Sequence, residues 1–255
     1  MSEQRKIWDK SWECLLWVHP QEILGSRFTQ EAYRCLKNFI NCRKDKLILE
    51  AGCGTGRLCC LLARDFPDSQ VIGMDISPNS LKIANRLKEY LHVPNTSFCK
   101  GDLFQMPYPD NYFDVVFNDG VIEHFSLNEN PNYKDALKEM IRVTKPKGKI
   151  IVDVPNWYCF PHTIYKWLLK KLGRPFEYGY EKSFKHRELI ELFREFNLTN
   201  LELRGYYPAH GFYRFSKYSR IFSLLGKAVD ILDNKYIANR FGFMLLIKGE
   251  KKGKI

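Results

Sequence analysis

Short apolar runs alternate with helical stripes along most of this chain, a pattern that predicts parallel strands joined by helices. Leu47–Leu49 reads as a buried strand and Arg57–Arg64 as the helix after it. Val71–Met74 is a second short apolar run. Ser77 then fits a helix N-cap, Pro78 fits the first helical position, and Leu81, Ala84, Leu87 and Leu91 recur on one face. Thr96–Leu103 predicts a third strand, Phe113–Asn118 a fourth, and Lys149–Pro155 a fifth after the turn Pro146-Lys147-Gly148. Helical spacing also appears at Ala32, Leu36, Phe39 and Ile40 (helix 28–41) and at Tyr133, Ala136, Leu137, Met140 and Ile141. Near the end, Ser183 is expected to cap a helix running to Phe196, and Leu198–Tyr207 and Phe241–Gly249 read as the last two strands.

The alternation fails in two places. Residues 156–182 carry Pro161, Gly173, Pro175 and Gly179, and 208–240 form a second long connection with a helix near 218–232. Both are aromatic and basic, and a connection this long implies a substrate-binding cap. Ahead of the first strand, 1–27 holds Trp8, Trp12 and Trp17.

The strands end on polar residues. Glu50 leads into Gly52-Cys53-Gly54-Thr55-Gly56, where alternate glycines let backbone N–H groups approach a ligand. The next residue is Arg57, where a dinucleotide fingerprint has glycine, and no Gly-Lys-Ser/Thr follows to make a P-loop. Glu50 suits a cationic ligand better than a pyrophosphate. Asp75 ends the second strand about 20 residues further on, where a carboxylate accepts from ribose hydroxyls. Asp102 is placed to accept from an exocyclic amine, and Asn118 can both donate and accept.

Glu50–Gly56, Gly73-Met74-Asp75, Gly101-Asp102-Leu103 and Phe113–Asn118 together resemble the class I S-adenosylmethionine-dependent methyltransferases. Gly120–Phe125 is similar to the branch containing the ubiquinone and menaquinone biosynthesis enzymes. The likeness spans roughly residues 45–155. It implies a doubly wound, mostly parallel seven-stranded α/β sheet with an antiparallel edge hairpin and helical insertions. The chain 1–255 would form one domain, with a core over 28–155 and 183–250, cap insertions 156–182 and 208–240, and an N-terminal segment 1–27 folded over the cofactor as a lid lined by Trp8, Trp12 and Trp17. It also implies S-adenosylmethionine as cofactor. The Gly52–Gly56 backbone, with Cys53, would approach its methionine part, and Glu50 its ammonium. Asp75 would hold the ribose, Ile76 and Leu103 would flank the adenine, Asp102 would take the adenine amine, and Asn118 would touch the methionine end.

Methyl transfer from a sulfonium is an in-line displacement, so positioning carries much of the catalysis. A base is needed where the nucleophile arrives protonated. His124, just after the fourth strand, is the candidate.

Composition narrows the picture modestly. At 255 residues, 45% hydrophobic and 27% charged, the chain has the make-up of a soluble globular protein. Its start shows no signal-peptide pattern, and no run reaches the about 18 apolar residues of a membrane span. Eight cysteines form no Cys-x-x-Cys pair, which fits reduced thiols in a cytoplasmic protein rather than disulfides or zinc. The net charge of +11 invites an anionic partner. The expected acceptor is a small molecule, aromatic or lipid-like, met at a membrane surface through Ile164–Lys171. An RNA substrate is disfavoured, since no Asn-Pro-Pro-Tyr-type tetrapeptide follows the fourth strand. A non-catalytic cofactor-binding scaffold is the third reading. Acceptor atom and oligomeric state stay open.

Overall fold

A computed structural model describes residues 3–41, 46–213, 215–216 and 219–253. Cys42, Tyr218 and Lys254 lie outside the described residues. Seven strands form one sheet: β1 Leu47–Ala51, β2 Gln70–Asp75, β3 Thr96–Lys100, β4 Phe113–Asp119, β5 Thr144–Pro155, β6 Thr199–Tyr206 and β7 Met244–Glu250. Their order is β3-β2-β1-β4-β5-β7-β6. The first five run parallel, and β7 runs antiparallel between β5 and β6.

Helices cover both faces: α1 Glu3–Leu15, α2 Pro20–Gly25, α3 Arg27–Ile40, α4 Arg57–Asp65, α5 Pro78–Leu91, α6 Tyr133–Val143, α7 Phe160–Lys171, α8 His186–Glu195, α9 His210–Tyr213, α10 Arg220–Leu232 and α11 Lys235–Phe241. Successive side chains of a strand point to opposite faces, and the central strands divide their residues accordingly. Ile48, Phe117 and Ile151 pack with Leu36, Phe39, Leu58 and Leu87 from α3, α4 and α5. Leu49, Val116 and Ile150 pack with Leu137 and Met140 from α6 and Phe193 from α8. Central strands buried on both faces have to be apolar throughout, which is why they read as runs rather than alternations.

The chain leaves β1 for β2 and β3, then returns to β4 on the other side of β1. Helices therefore diverge at the carboxyl ends of β1 and β4, the place where open sheets leave a crevice.

Four expectations need correction. The fifth strand begins at Thr144, so Pro146–Gly148 lies inside it; Thr144 pairs with Phe113, and the register shifts before Val115. Ser183 caps nothing. Phe184 donates to Pro155 O at 2.8 Å and bridges Asn156, which holds this stretch extended and delays α8 to His186. The last strand starts at Met244, because 235–241 close as α11. Pro161 does not break structure; it sits in the first turn of α7, where its missing N–H costs no intrahelical bond. The first long connection thus holds α7, and the second holds α9, α10 and most of α11.

Candidate active site

At the β1/β4 switch point lies a cleft of about 1060 Å³. Its floor is the glycine loop. Gly52 and Cys53 N–H both point to Met74 O, at 2.7 and 2.9 Å. Gly54 has φ 50°, and a Cβ there would come within 3.0 Å of the Trp12 indole. Gly56 has φ 69° and caps α4, and a Cβ there would stand 2.7 Å from Ala84 and Phe98. Positive φ and close approach both require glycine at these two positions.

Asp75 is buried and ties the loop to the next helix. Its Oδ2 accepts from Gly54 N at 2.7 Å and its Oδ1 from Ser77 N at 2.9 Å. Each oxygen keeps a lone pair for a further donor. Burial raises its pKa, partly offset by these hydrogen bonds. Ile76 is 37% exposed beside it, and Leu103 forms the facing apolar wall. Asp102 stands exposed between them, its Oδ1 accepting from Phe104 N at 2.9 Å. Gly52, Cys53, Gly54, Asp75, Ile76, Asp102, Leu103 and His124 all line the cleft.

Glu50, Gly56 and Asn118 do not line it. Glu50 shares the face of Ile48 and turns under the loop toward α4. There its Oε2 accepts from Cys59 N at 3.2 Å and from the Cys59 thiol at 2.9 Å. Asn118 shares the face of Val116 and is fully buried, its Nδ2 3.5 Å from Met140 Sδ. Strand parity therefore brings Asp119, not Asn118, to the cleft wall.

Burial pushes the Glu50 carboxyl up to about 8. A raised folded pKa gives stability that is full below the ordinary carboxyl value and is lost as pH rises through about 8. Glu50→Gln removes that titration. In urea unfolding at pH 5 and pH 9, the wild-type advantage over the glutamine variant should shrink with rising pH. A difference independent of pH would contradict a buried carboxyl here.

The upper wall is aromatic and comes from distant segments. Trp8 of α1 stacks on Trp12 (centroids 5.3 Å) and on Tyr178 (5.5 Å), and meets the His124 ring edge-on at 5.0 Å. The segment is anchored by Ser77 Oγ donating to Asp9 Oδ1 of α1 at 2.5 Å and, just past the helix, by the Arg86 guanidinium donating to Val18 O at 2.5 Å. Trp8 and Trp12 thus line the cleft, while Trp17 is 90% exposed and lies away from it.

His124 sits in a turn of 3-10 helix, Ile122–His124, after β4 and is buried. Its Nδ1 lies 2.7 Å from Tyr180 O. A carbonyl only accepts, so Nδ1 carries the proton and Nε2 keeps its lone pair. Burial lowers the His124 pKa, against the opposing pull of that hydrogen bond.

Asp119 and Glu123, which the sequence leaves open between orienting His124 and contacting the cofactor, sit in a charge network whose other members no motif marks. Arg57 pairs with Asp119. Asp153 accepts from the Tyr206 hydroxyl, and burial followed by the charge of Asp119 raises its pKa well above the carboxylate range. Glu123 is likewise raised, by burial and then by Glu181. Its Oε1 is 3.9 Å from His124 Nε2, and its Oε2 has no hydrogen-bond partner among the described residues. Burial works to raise Glu181, but His162 at 2.8 Å and Lys166 at 3.1 Å hold it below its ordinary value. In the sequence Arg57 stands out only as the residue that is not glycine, and its pairing with Asp119 is set by topology.

A doubly wound sheet with a glycine loop and a buried carboxylate at the end of the next strand is the architecture of a nucleotide-cofactor enzyme. A family model described as a methyltransferase domain matches residues 43–196, and the chain belongs to that family. A demethylmenaquinone methyltransferase of Geobacillus kaustophilus is 31% identical over 184 residues, 66% of this chain and 76% of that protein. One from Geobacillus stearothermophilus is 30% identical over the same shares. Among solved structures, a possible histamine N-methyltransferase of Thermotoga maritima aligns with TM-score 0.62 at 18% identity, over 98% of this chain and all of that one. The phosphoethanolamine N-methyltransferase 2 of Haemonchus contortus, in complex with S-adenosylhomocysteine, gives 0.67 at 17%, over 99% of this chain and 61% of that one. The protein is an S-adenosylmethionine-dependent methyltransferase.

Proposed function

We propose that the whole chain works as one catalytic unit that methylates a small aromatic, quinone-like acceptor, with His124 as the base. The observation that carries this reading is the Nδ1 hydrogen bond to Tyr180 O, which leaves the Nε2 lone pair in an aromatic-walled cleft. The names of the curated relatives support a quinone-like acceptor. Bound S-adenosylmethionine supplies the electrophilic methyl group. The glycine-loop backbone, Cys53 and Asp75 hold its polar parts, Ile76 and Leu103 enclose the adenine, and Asp102 takes the amine. Glu50 and Gly56 act from below, fixing the start of α4, and Asn118 supports β4 from the far face. The Trp8 ring meets His124 edge-on and stacks on Tyr178, which makes this end of the cleft an apolar surface suited to an aromatic acceptor. As Nε2 takes the acceptor hydroxyl proton, the imidazolium forms beside Glu123 and Glu181.

The test is incubation with methyl-labelled S-adenosylmethionine and separate panels of hydroquinones, amines and RNA. Label in the hydroquinone product is the expected outcome. Label in amines or RNA with none in any hydroquinone would overturn the reading.

A further inference from the structure

The cap carries a surface that methyl transfer does not explain. On α7, Ile164 is 52% and Trp167 57% exposed; on α10, Leu224 is 63% and Ile231 84% exposed; Tyr236 of α11 is 87% exposed. These helices are joined beneath that surface. Tyr165 meets Phe215 at 5.4 Å, Phe215 meets Phe222 at 5.2 Å, and Phe160 meets Phe241 at 5.8 Å. The helices that carry the exposed residues therefore belong to one neighbourhood, and exposed apolar residues in such number mark an interaction site.

We infer that this face, α7 with α10 and α11, docks on an anionic lipid bilayer. Residues 156–182 and 208–240 hold eleven Lys and Arg against four Asp and Glu. Among the acidic four, Asp230 is engaged by Arg27 and Glu181 by His162 and Lys166, so the outward field is cationic. The cations adjoin the apolar residues. Lys171 Nζ lies 5.2 Å from the Trp167 ring and Lys185 Nζ 4.8 Å from the Trp157 ring. Apolar side chains that enter the acyl boundary, with Lys and Arg at headgroup level, make an interfacial helix. A two-fold contact with a second copy would set this basic face against itself. RNA needs stacking faces, whereas much of this patch is Ile and Leu. No described helix is long and apolar enough to cross a membrane, so the contact lies on the surface.

The cap also connects this face to the cleft. Tyr178, which lines the cleft, meets Phe176 at 5.6 Å, and Phe176 meets Tyr165 of α7 at 6.2 Å. Docking would place the cleft's aromatic wall near the lipid from which a tailed acceptor comes. This last step rests on the proposed quinone-like acceptor; the docking itself does not.

The experiment is vesicle flotation, with phosphatidylcholine alone and with added phosphatidylglycerol, neither containing an acceptor. Wild-type protein should float with the anionic vesicles and far less with the neutral ones. The double variant Ile164→Asp, Leu224→Asp changes only exposed residues outside the cleft. Its partition should fall by about tenfold or more, with an unchanged circular dichroism spectrum and unchanged methylation of a short-tailed, water-soluble hydroquinone. Failure of the wild type to float, or equal flotation of the double variant, would overturn the proposal. So would self-association in sedimentation that the aspartates abolish while flotation persists. Because the vesicles hold no acceptor, flotation reports on docking whatever the methylation panel shows.

Discussion

Replacing His124 with alanine should lower kcat by about 10²–10⁴, the usual contribution of a positioned base, with affinity for S-adenosylhomocysteine within a factor of about two. The split follows from the geometry. His124 contacts Trp8 and Tyr180, whereas Asp75 is held by Gly54 and Ser77. Alanine also removes packing, so His124→Gln is the sharper variant. Its amide nitrogen can still donate to Tyr180 O, but it offers no basic nitrogen. Loss of rate in both variants with similar thermal stability assigns the base; a fully active glutamine variant would leave His124 a structural role. The pH profile gives a second reading. Only neutral imidazole accepts a proton, and burial holds the His124 pKa below its ordinary value. The rate should therefore persist as pH falls past 6.5, the ordinary histidine value, and decline only as pH drops through the lowered one. A decline beginning above 6.5 would contradict the assignment.

The second large effect concerns Asp75. Asp75→Ala leaves Gly54 N–H and Ser77 N–H without their acceptor and removes the carboxylate proposed for the ribose. Each unpaired buried donor costs about 1–3 kcal/mol. Part of that appears as lower stability and part as weaker binding. Calorimetric titration with S-adenosylhomocysteine should show affinity reduced by about 10- to 100-fold, equivalent to about 1.4–2.8 kcal/mol. The protein should still unfold cooperatively, because the two apolar clusters on either side of the sheet are untouched. Unchanged affinity would remove Asp75 from the binding site.

The parallel core was legible because its determinants are local. Apolar runs mark β1, β2, β4 and β5, and the stripes at Leu36–Phe39 and Leu137–Met140 mark α3 and α6. Boundaries failed where a distant backbone group decided them. Ser183 has the chemistry of an N-cap, but Pro155 O takes Phe184 into a bridge first. Asn118 stands out in the sequence for its polarity, whereas its face is set by parity with Val116, which turns it to Met140. The lid is legible only as three tryptophans ahead of a helix. That Trp8 stacks on Tyr178 depends on how the cap folds back, a contact between segments at opposite ends of the site. The Arg57–Asp119 pair is likewise assembled by topology, from the residues just after β1 and at the end of β4.

The most direct single measurement is a crystal structure with S-adenosylhomocysteine. The expected density puts the adenine between Ile76 and Leu103, the ribose hydroxyls on Asp75, and the sulfur facing His124 beneath Trp8. Density outside this cleft, or an adenosine that leaves Asp75 bonded only to Gly54 and Ser77, would contradict the proposed site.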